Sequence, residues 1–94
     1  MTTMTGGQAL ARQLRREGVE VIFGLPGDQT MHALDAFYDE REHLRFITTR
    51  HEQGTTYMAD GYARATGKVG VAFVVPGVGV YNAGGGLATA YATS

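Results

Sequence analysis

The sequence predicts an α/β protein, a three-layer sandwich built on a parallel sheet. Three observations lead there. Short apolar runs rich in β-branched residues alternate with longer helical stretches, in the order α-β-α-β-α-β-α. The links between them are short, so successive strands run parallel and return by right-handed crossovers. The strand runs are mostly apolar on both faces, as a sheet covered by helices on both sides requires.

The first helix opens at Thr5-Gly-Gly-Gln8, which has the form of a capping box. Ala9, Leu10 and Leu14 form its apolar stripe, with Arg12, Gln13, Arg15, Arg16 and Glu17 largely off it, and Gly18 ends it. Val19 to Phe23 is apolar except for Glu20 and reads as a buried strand. The turn Gly24-Leu-Pro-Gly27 stops it. Asp28, Gln29 or Thr30 can cap a second helix, whose apolar residues are Met31, Leu34, Ala36, Phe37 and Tyr38. Asp39 to His43 is a solvated link, and Leu44 to Thr48 is a second strand. A third helix runs from about His51 to Thr66 and ends at Gly67. Val69 to Val75 carries no polar side chain and forms the third strand. Pro76-Gly-Val-Gly79 is a turn, and a last helix spans about Asn82 to Ala92. Gly84-Gly-Gly86 falls inside it, where each Gly costs ~1 kcal/mol relative to Ala. Either the helix starts late, near Leu87, or another element packs closely on those glycines.

With 94 residues, 44% hydrophobic and 18% charged, the chain reads as one small globular domain, 1–94. A net charge of −1 gives no electrostatic case for nucleic acid or an anionic membrane. No apolar run approaches the ~20 residues of a membrane span, and the N-terminus lacks a signal-peptide pattern. The absence of cysteine excludes a disulfide framework and thiolate zinc sites, and fits a cytoplasmic location. His32, His43 and His51 lack metal-ligand spacing, so no metal site is expected. Tyr91-Ala-Thr-Ser94 has the look of a turn towards a further strand, and a three-stranded sheet would leave open edges. A truncated piece of a longer chain is therefore expected.

In an open parallel sheet, ligands bind beyond the C-terminal ends of the strands. Three segments fall there: Gly24-Leu-Pro-Gly-Asp28, Arg50-His-Glu52 and Pro76-Gly-Val-Gly79. Two are glycine turns that let a ligand approach the backbone, and the third offers an acid. Each also has a purely structural explanation. Thr49-x-x-Glu52 fits a capping box, Asp28 and Asn82 fit helix caps, and Gly27, Gly77 and Gly79 fit ordinary turns. Tyr57, Met58 and Tyr62 fit core or interface packing. Neither turn carries a dinucleotide or P-loop fingerprint, which disfavours a nucleotide-binding domain.

Segment 18–30, GVEVIFGLPGDQT, and segment 48–94, with TTRHEQGTTYMADGYAR at its start, closely resemble a known domain at this spacing. It is the N-terminal pyrimidine-binding (PYR) domain of thiamine-diphosphate-dependent enzymes, nearest the acetolactate synthase family. The resemblance covers about Gly7 to Ser94. It implies thiamine diphosphate as cofactor and a 2-oxo acid substrate, which undergoes carboligation or decarboxylation. It also implies a homodimer or homotetramer formed through the cofactor site. The family's catalytic glutamate falls on Glu52, which would exchange a proton with N1′ of the cofactor's pyrimidine ring. The apolar strand before Glu52 and the small, aromatic helix behind it imply a carboxyl sheltered from water.

The resemblance assigns Pro26 and Gly27 to a loop near cofactor and substrate, with Asp28 on the substrate side. Gly77, Gly79 and Asn82 match the family's glycine loop beside the pyrimidine. Val78 stands where the family has proline, and Tyr81 is bulkier than the family residue before that asparagine. In the family, Mg2+ and the diphosphate are held by a separate C-terminal domain, and acetolactate synthases hold FAD in a central one. Neither domain occurs here, so the chain is expected to carry half a site, with no metal ligands, and to be inactive alone. The alternatives are an oxalyl-CoA or benzoylformate decarboxylase-type enzyme, or a noncatalytic α/β module in which Glu52 only caps its helix.

Overall fold

The computed structural model describes residues 3–93. Met1, Thr2 and Ser94 lie outside the described residues, and with them both ends of the 1–94 span and the last residue of the turn expected at Tyr91 to Ser94.

Helix α1 (Gly6–Arg16) opens on the expected capping box. Gln8 N donates to Thr5 Oγ1 at 3.1 Å and Thr5 N donates to Gln8 Oε1 at 2.9 Å. Its inner face differs from the expected stripe. Ala11 is buried and Gly7 and Leu14 are half-buried, whereas Ala9 and Leu10 are exposed. Close helix approach sets this choice: a Cβ on Gly7 would lie 2.6 Å from the His32 carbonyl oxygen. Gly18 turns the chain out of the helix at φ 83°.

Strand β1 (Val21–Gly24) is central. It pairs in parallel with β2 (Arg45–Thr48) on one side and β3 (Val71–Phe73) on the other. The ladders are shorter than the apolar runs, and Val69, expected in the third strand, is 74% exposed before it. Alternation along β1 divides the interior. Ile22 joins Ala11, Leu44 and the α2 (Met31–Asp39) residues Ala36 and Phe37 in the main core. Phe23 faces the opposite side and meets Tyr62 of α3 (Glu52–Thr66) edge-on, with ring centroids 5.8 Å apart. On the α2 side, Phe37 packs edge-on against Phe73 at 5.1 Å, which welds the β3 edge to that helix.

Helix α4 (Val78–Ala92) packs along α3, and α3 lies on β1 and β3 on the face opposite the one that α1 and α2 cover. The three-layer α/β sandwich is the observed fold. The last helix departs from expectation, because it begins at Val78 rather than near Asn82. Gly77 is its N-cap residue at φ 73° and ψ −111°, which confines the turn to Pro76-Gly77. The glycine triplet does not delay the helix; Gly85 and Gly86 face α3. A Cβ on Gly86 would overlap Thr56 Oγ1 and lie 2.6 Å from the Tyr57 backbone nitrogen. Thr56 Oγ1 also donates to the Ala83 carbonyl at 2.7 Å, locking the two helices in register. Among the described residues no helix is long and apolar enough to cross a membrane.

Candidate functional site

The three strands end at one edge of the sheet, and backbone bonds tie together the loops that leave it. Leu25 N donates to Phe73 O at 3.1 Å, and Thr49 N donates to Gly24 O at 2.9 Å. The segments after β1, β2 and β3 are therefore neighbours, as parallel topology requires.

Glu52 is the first residue of α3 but plays no part in a capping box. His51 occupies the N-cap position, and its Nδ1 accepts from Gln53 N at 3.0 Å. Thr49 Oγ1 instead donates to the His51 carbonyl at 2.9 Å and braces the turn between strand and helix. The expected Thr49-x-x-Glu52 box is thus replaced by a histidine cap. That frees the Glu52 side chain. Half-buried, it accepts at Oε1 a hydrogen bond of 3.2 Å from Asn82 Nδ2, on α4. Beneath it, fully buried Thr55 donates to the Glu52 carbonyl at 2.6 Å and fixes the first turn. The partial positive charge of the helix end attracts a carboxylate at this position.

The glycines meet around one valine. A Cβ on Gly27 would run into Val75 Cγ1, and one on Gly79 would stand 2.8 Å from Val75 Cγ2. The loop after β1 and the first turn of α4 therefore close on the same side chain. Thr30 holds that loop, not Asp28: its hydroxyl donates to Gly27 O at 2.8 Å and accepts from Gly27 N at 3.3 Å. Thr30 stands at the N-cap position of α2, yet its side chain makes no capping bond. Asp28 is exposed and opens a single 3-10 turn, Asp28–Thr30. Pro26 is exposed and lines a cleft of about 460 Å³ on the α2 side, with Leu34, Phe37, Tyr38, Arg41 and Phe46. The structure thus joins Glu52 to Asn82 directly, and Gly27 to Gly79 through Val75. Gly77 sets the entry of α4, while Pro26 and Asp28 stand on the rim.

Residues 4–94 match the family model described as thiamine pyrophosphate enzyme, N-terminal TPP binding domain. The chain belongs to this family. It is 47% identical over 93 residues to the probable 2-ketoarginine decarboxylase AruI of Pseudomonas aeruginosa, covering 98% of this chain and 16% of that protein. It is 46% identical over 93 residues to an acetolactate synthase of Arthrospira platensis, covering 97% of this chain and 16% of that protein. It is 44% identical over 94 residues to an acetolactate synthase large subunit of Haemophilus influenzae, covering 100% of this chain and 16% of that subunit. The chain spans about 16% of the length of these curated relatives.

Three contributors to the site of this TPP binding domain escaped the sequence. His51 was masked by the Ser/Thr-x-x-Glu pattern at Thr49, although the cap lies one residue before Glu52. Thr55 left a signal, a hydroxyl three residues after Glu52. Val75 left none, because it reads as an ordinary strand residue. The entry glycine gives a direct test. No atom lies within 4 Å of a Cβ built on Gly77, so substitution there meets only backbone strain. Gly77→Ala should cost about 1–3 kcal/mol, since φ 73° with ψ −111° is closed to residues with a side chain. Urea unfolding of the variant measures it, and an unchanged midpoint would remove the strain argument.

Proposed function

We propose that this chain is the pyrimidine-binding part of a thiamine-diphosphate-dependent enzyme acting on a 2-oxo acid, by acetolactate synthase-like carboligation or by decarboxylation. One observation carries the reading: a half-buried carboxyl, Glu52, released from capping and held by Asn82 at the glycine-rich end of a parallel sheet. The residues fit the cofactor. A flat pyrimidine needs a carboxyl at N1′ and backbone that can come close; Glu52 supplies the first, and Gly77, with no atom within 4 Å of a Cβ built on it, leaves the backbone at the entry of α4 open. When bound, thiamine diphosphate supplies a carbon nucleophile that adds to the 2-oxo carbon and takes the electron pair of the bond that breaks. Glu52 holds and moves the proton at N1′. Gly27 and Gly79 close on Val75 beside it, Gly77 directs α4 towards it, and exposed Asp28 stands on the substrate side of the rim, whereas Pro26 borders the α2 cleft.

The relatives' names fall on both sides of the reaction choice, one a decarboxylase and others acetolactate synthases. Residues outside this chain therefore decide between carboligation and decarboxylation. Mg2+ and the diphosphate are held outside it as well, as is FAD if the enzyme carries one. In this reading the working form is a cytoplasmic homodimer or homotetramer, in which another subunit closes the site. The decisive assay is cofactor-dependent turnover by the enzyme that contains this chain. A panel of pyruvate, 2-oxobutyrate, 2-ketoarginine, benzoylformate and oxalyl-CoA is followed by CO2 release with and without thiamine diphosphate. Cofactor-independent behaviour on every member would end the proposal. The 94-residue chain alone should give no saturable, Mg2+-dependent heat with micromolar thiamine diphosphate in calorimetry. Tight binding would mean that it carries more than half a site.

A further inference from the structure

We infer that Asn82 is a positioning residue that decides which oxygen of Glu52 handles the proton. The inference rests on the role proposed for Glu52. Asn82 Nδ2 donates to Glu52 Oε1 at 3.2 Å, across 30 positions of sequence and between two helices. The contact is not a chance meeting of loose side chains. Both residues are half-buried, and each sits near the start of its helix. The helices cannot slide, because Thr56 Oγ1 bonds the carbonyl of Ala83, the residue after Asn82, and Gly86 packs on the Thr56–Tyr57 backbone.

The chemistry follows from the donor inventory. A primary amide nitrogen is a donor only and gives up no proton near neutral pH. It can therefore fix a carboxyl without competing for the proton that the carboxyl carries. An oxygen already accepting an N–H cannot present a proton along that direction. Oε1 is the anchored acceptor, and Oε2 is the oxygen that takes up and releases the proton. Asn82 acts through Glu52 and not on the cofactor. This differs from what sequence resemblance implies, which is a direct cofactor contact for Asn82.

Asn82 is the only asparagine in the chain, so 15N-asparagine labelling of the 94-residue protein gives one side-chain NH2 pair. The two amide protons should be unequal, with one exchanging slowly with water. Their shifts should move in Glu52→Gln, which replaces the carboxyl acceptor by a neutral amide. A solvent-like pair, indifferent to Glu52→Gln, would overturn the inference. In the enzyme that contains this chain, Asn82→Leu keeps the branched shape and removes the donor, and Asn82→Asp sets a second carboxylate against Oε1. Both should lower kcat by roughly 10–100-fold, the loss typical when a hydrogen-bonding partner that orients a metal ligand is removed. Affinity for thiamine diphosphate should stay within about threefold in Asn82→Leu. Lost affinity with kcat retained would make Asn82 a direct cofactor ligand and refute positioning. If the NMR pair behaves as expected but Glu52→Gln remains fully active, the error lies in the role of Glu52 and the amide contact stands.

Discussion

Glu52→Gln should lower cofactor-dependent turnover by about 10²–10⁴-fold, the range for removing a general acid or base, with the fold nearly unchanged. Glutamine keeps the size and the carbonyl that Asn82 Nδ2 reaches at 3.2 Å. It loses only the capacity to carry and deliver a proton. The structure separates this from a capping effect. His51 holds the N-cap position and bonds Gln53 N, so the variant does not lose the ~1 kcal/mol of a helix cap. What it loses in stability is the attraction between a carboxylate and the helix end, about 0.3–1 kcal/mol. Glu52→Asp serves as a second probe. It keeps the acid but withdraws it by one methylene from both Asn82 and the sheet edge, so turnover should fall there too. Turnover in the containing enzyme and urea unfolding of the chain are the two measurements. Full activity in Glu52→Gln would leave a folded module whose carboxyl does nothing for a reaction.

Much of this fold is legible because it is decided locally. The Thr5–Gln8 box forms as its spacing says, and Gly18 and Gly67 take φ 83° and 74° where the helices end. The strand runs also land in the right places, because a central strand covered on both faces can be made of little but apolar residues. The errors arise where a residue type serves two purposes. Pro76-Gly-Val-Gly79 has the composition of a turn, yet only Gly77 needs positive φ. Gly79 is buried inside the helix for a tertiary reason, contact with Val74 and Val75, which composition cannot distinguish from turning. On α1, the inner face is set by how closely α2 approaches Gly7, so Ala9 and Leu10 are displaced outward despite their hydrophobicity.

The candidate site was legible in its members but not in its bonds. Glu52 and Asn82 could each be singled out from the chain, where both also read as helix caps. Only the folded structure shows that the capping pattern at Thr49 is unused and that the two side chains meet. Pro26 shows the reverse case. It lies in the right loop, but its surroundings are the aromatic cleft beside α2. A loop that crosses a sheet edge has two sides, and the sequence does not say which one a residue faces.

Gly86→Ala should destabilise the chain, while Gly84→Ala, on the same helix, should stabilise it. Neither glycine has positive φ, so both can adopt an alanine backbone without strain. At Gly84 no atom lies within 4 Å of the new methyl, and the helix gains roughly 0.5–1 kcal/mol from the lower entropy cost of alanine. At Gly86 the same gain is opposed by a collision. The methyl would overlap Thr56 Oγ1 and stand 2.6 Å from Tyr57 N and 2.8 Å from Thr56 C. Two of these three atoms are backbone inside α3, which cannot rotate aside, so α4 has to back away. Overpacking of this kind costs about 1–3 kcal/mol, and against a propensity gain of roughly 0.5–1 kcal/mol it leaves a net loss of up to about 2.5 kcal/mol. In a domain of this size each kcal/mol moves the melting temperature by about 4–8 °C, so the two variants should fall on opposite sides of the parent. The displacement also has a functional reading. Asn82 rides on α4 beside Ala83, whose carbonyl is bonded to Thr56. A helix pushed off at Gly86 carries the amide away from Glu52. Gly86→Ala should therefore make the Asn82 amide pair more solvent-like, and Gly84→Ala should not, although both add one methyl to the same helix. Equal shifts in melting temperature from the two substitutions would show that Gly86 is there for something other than the approach of α3.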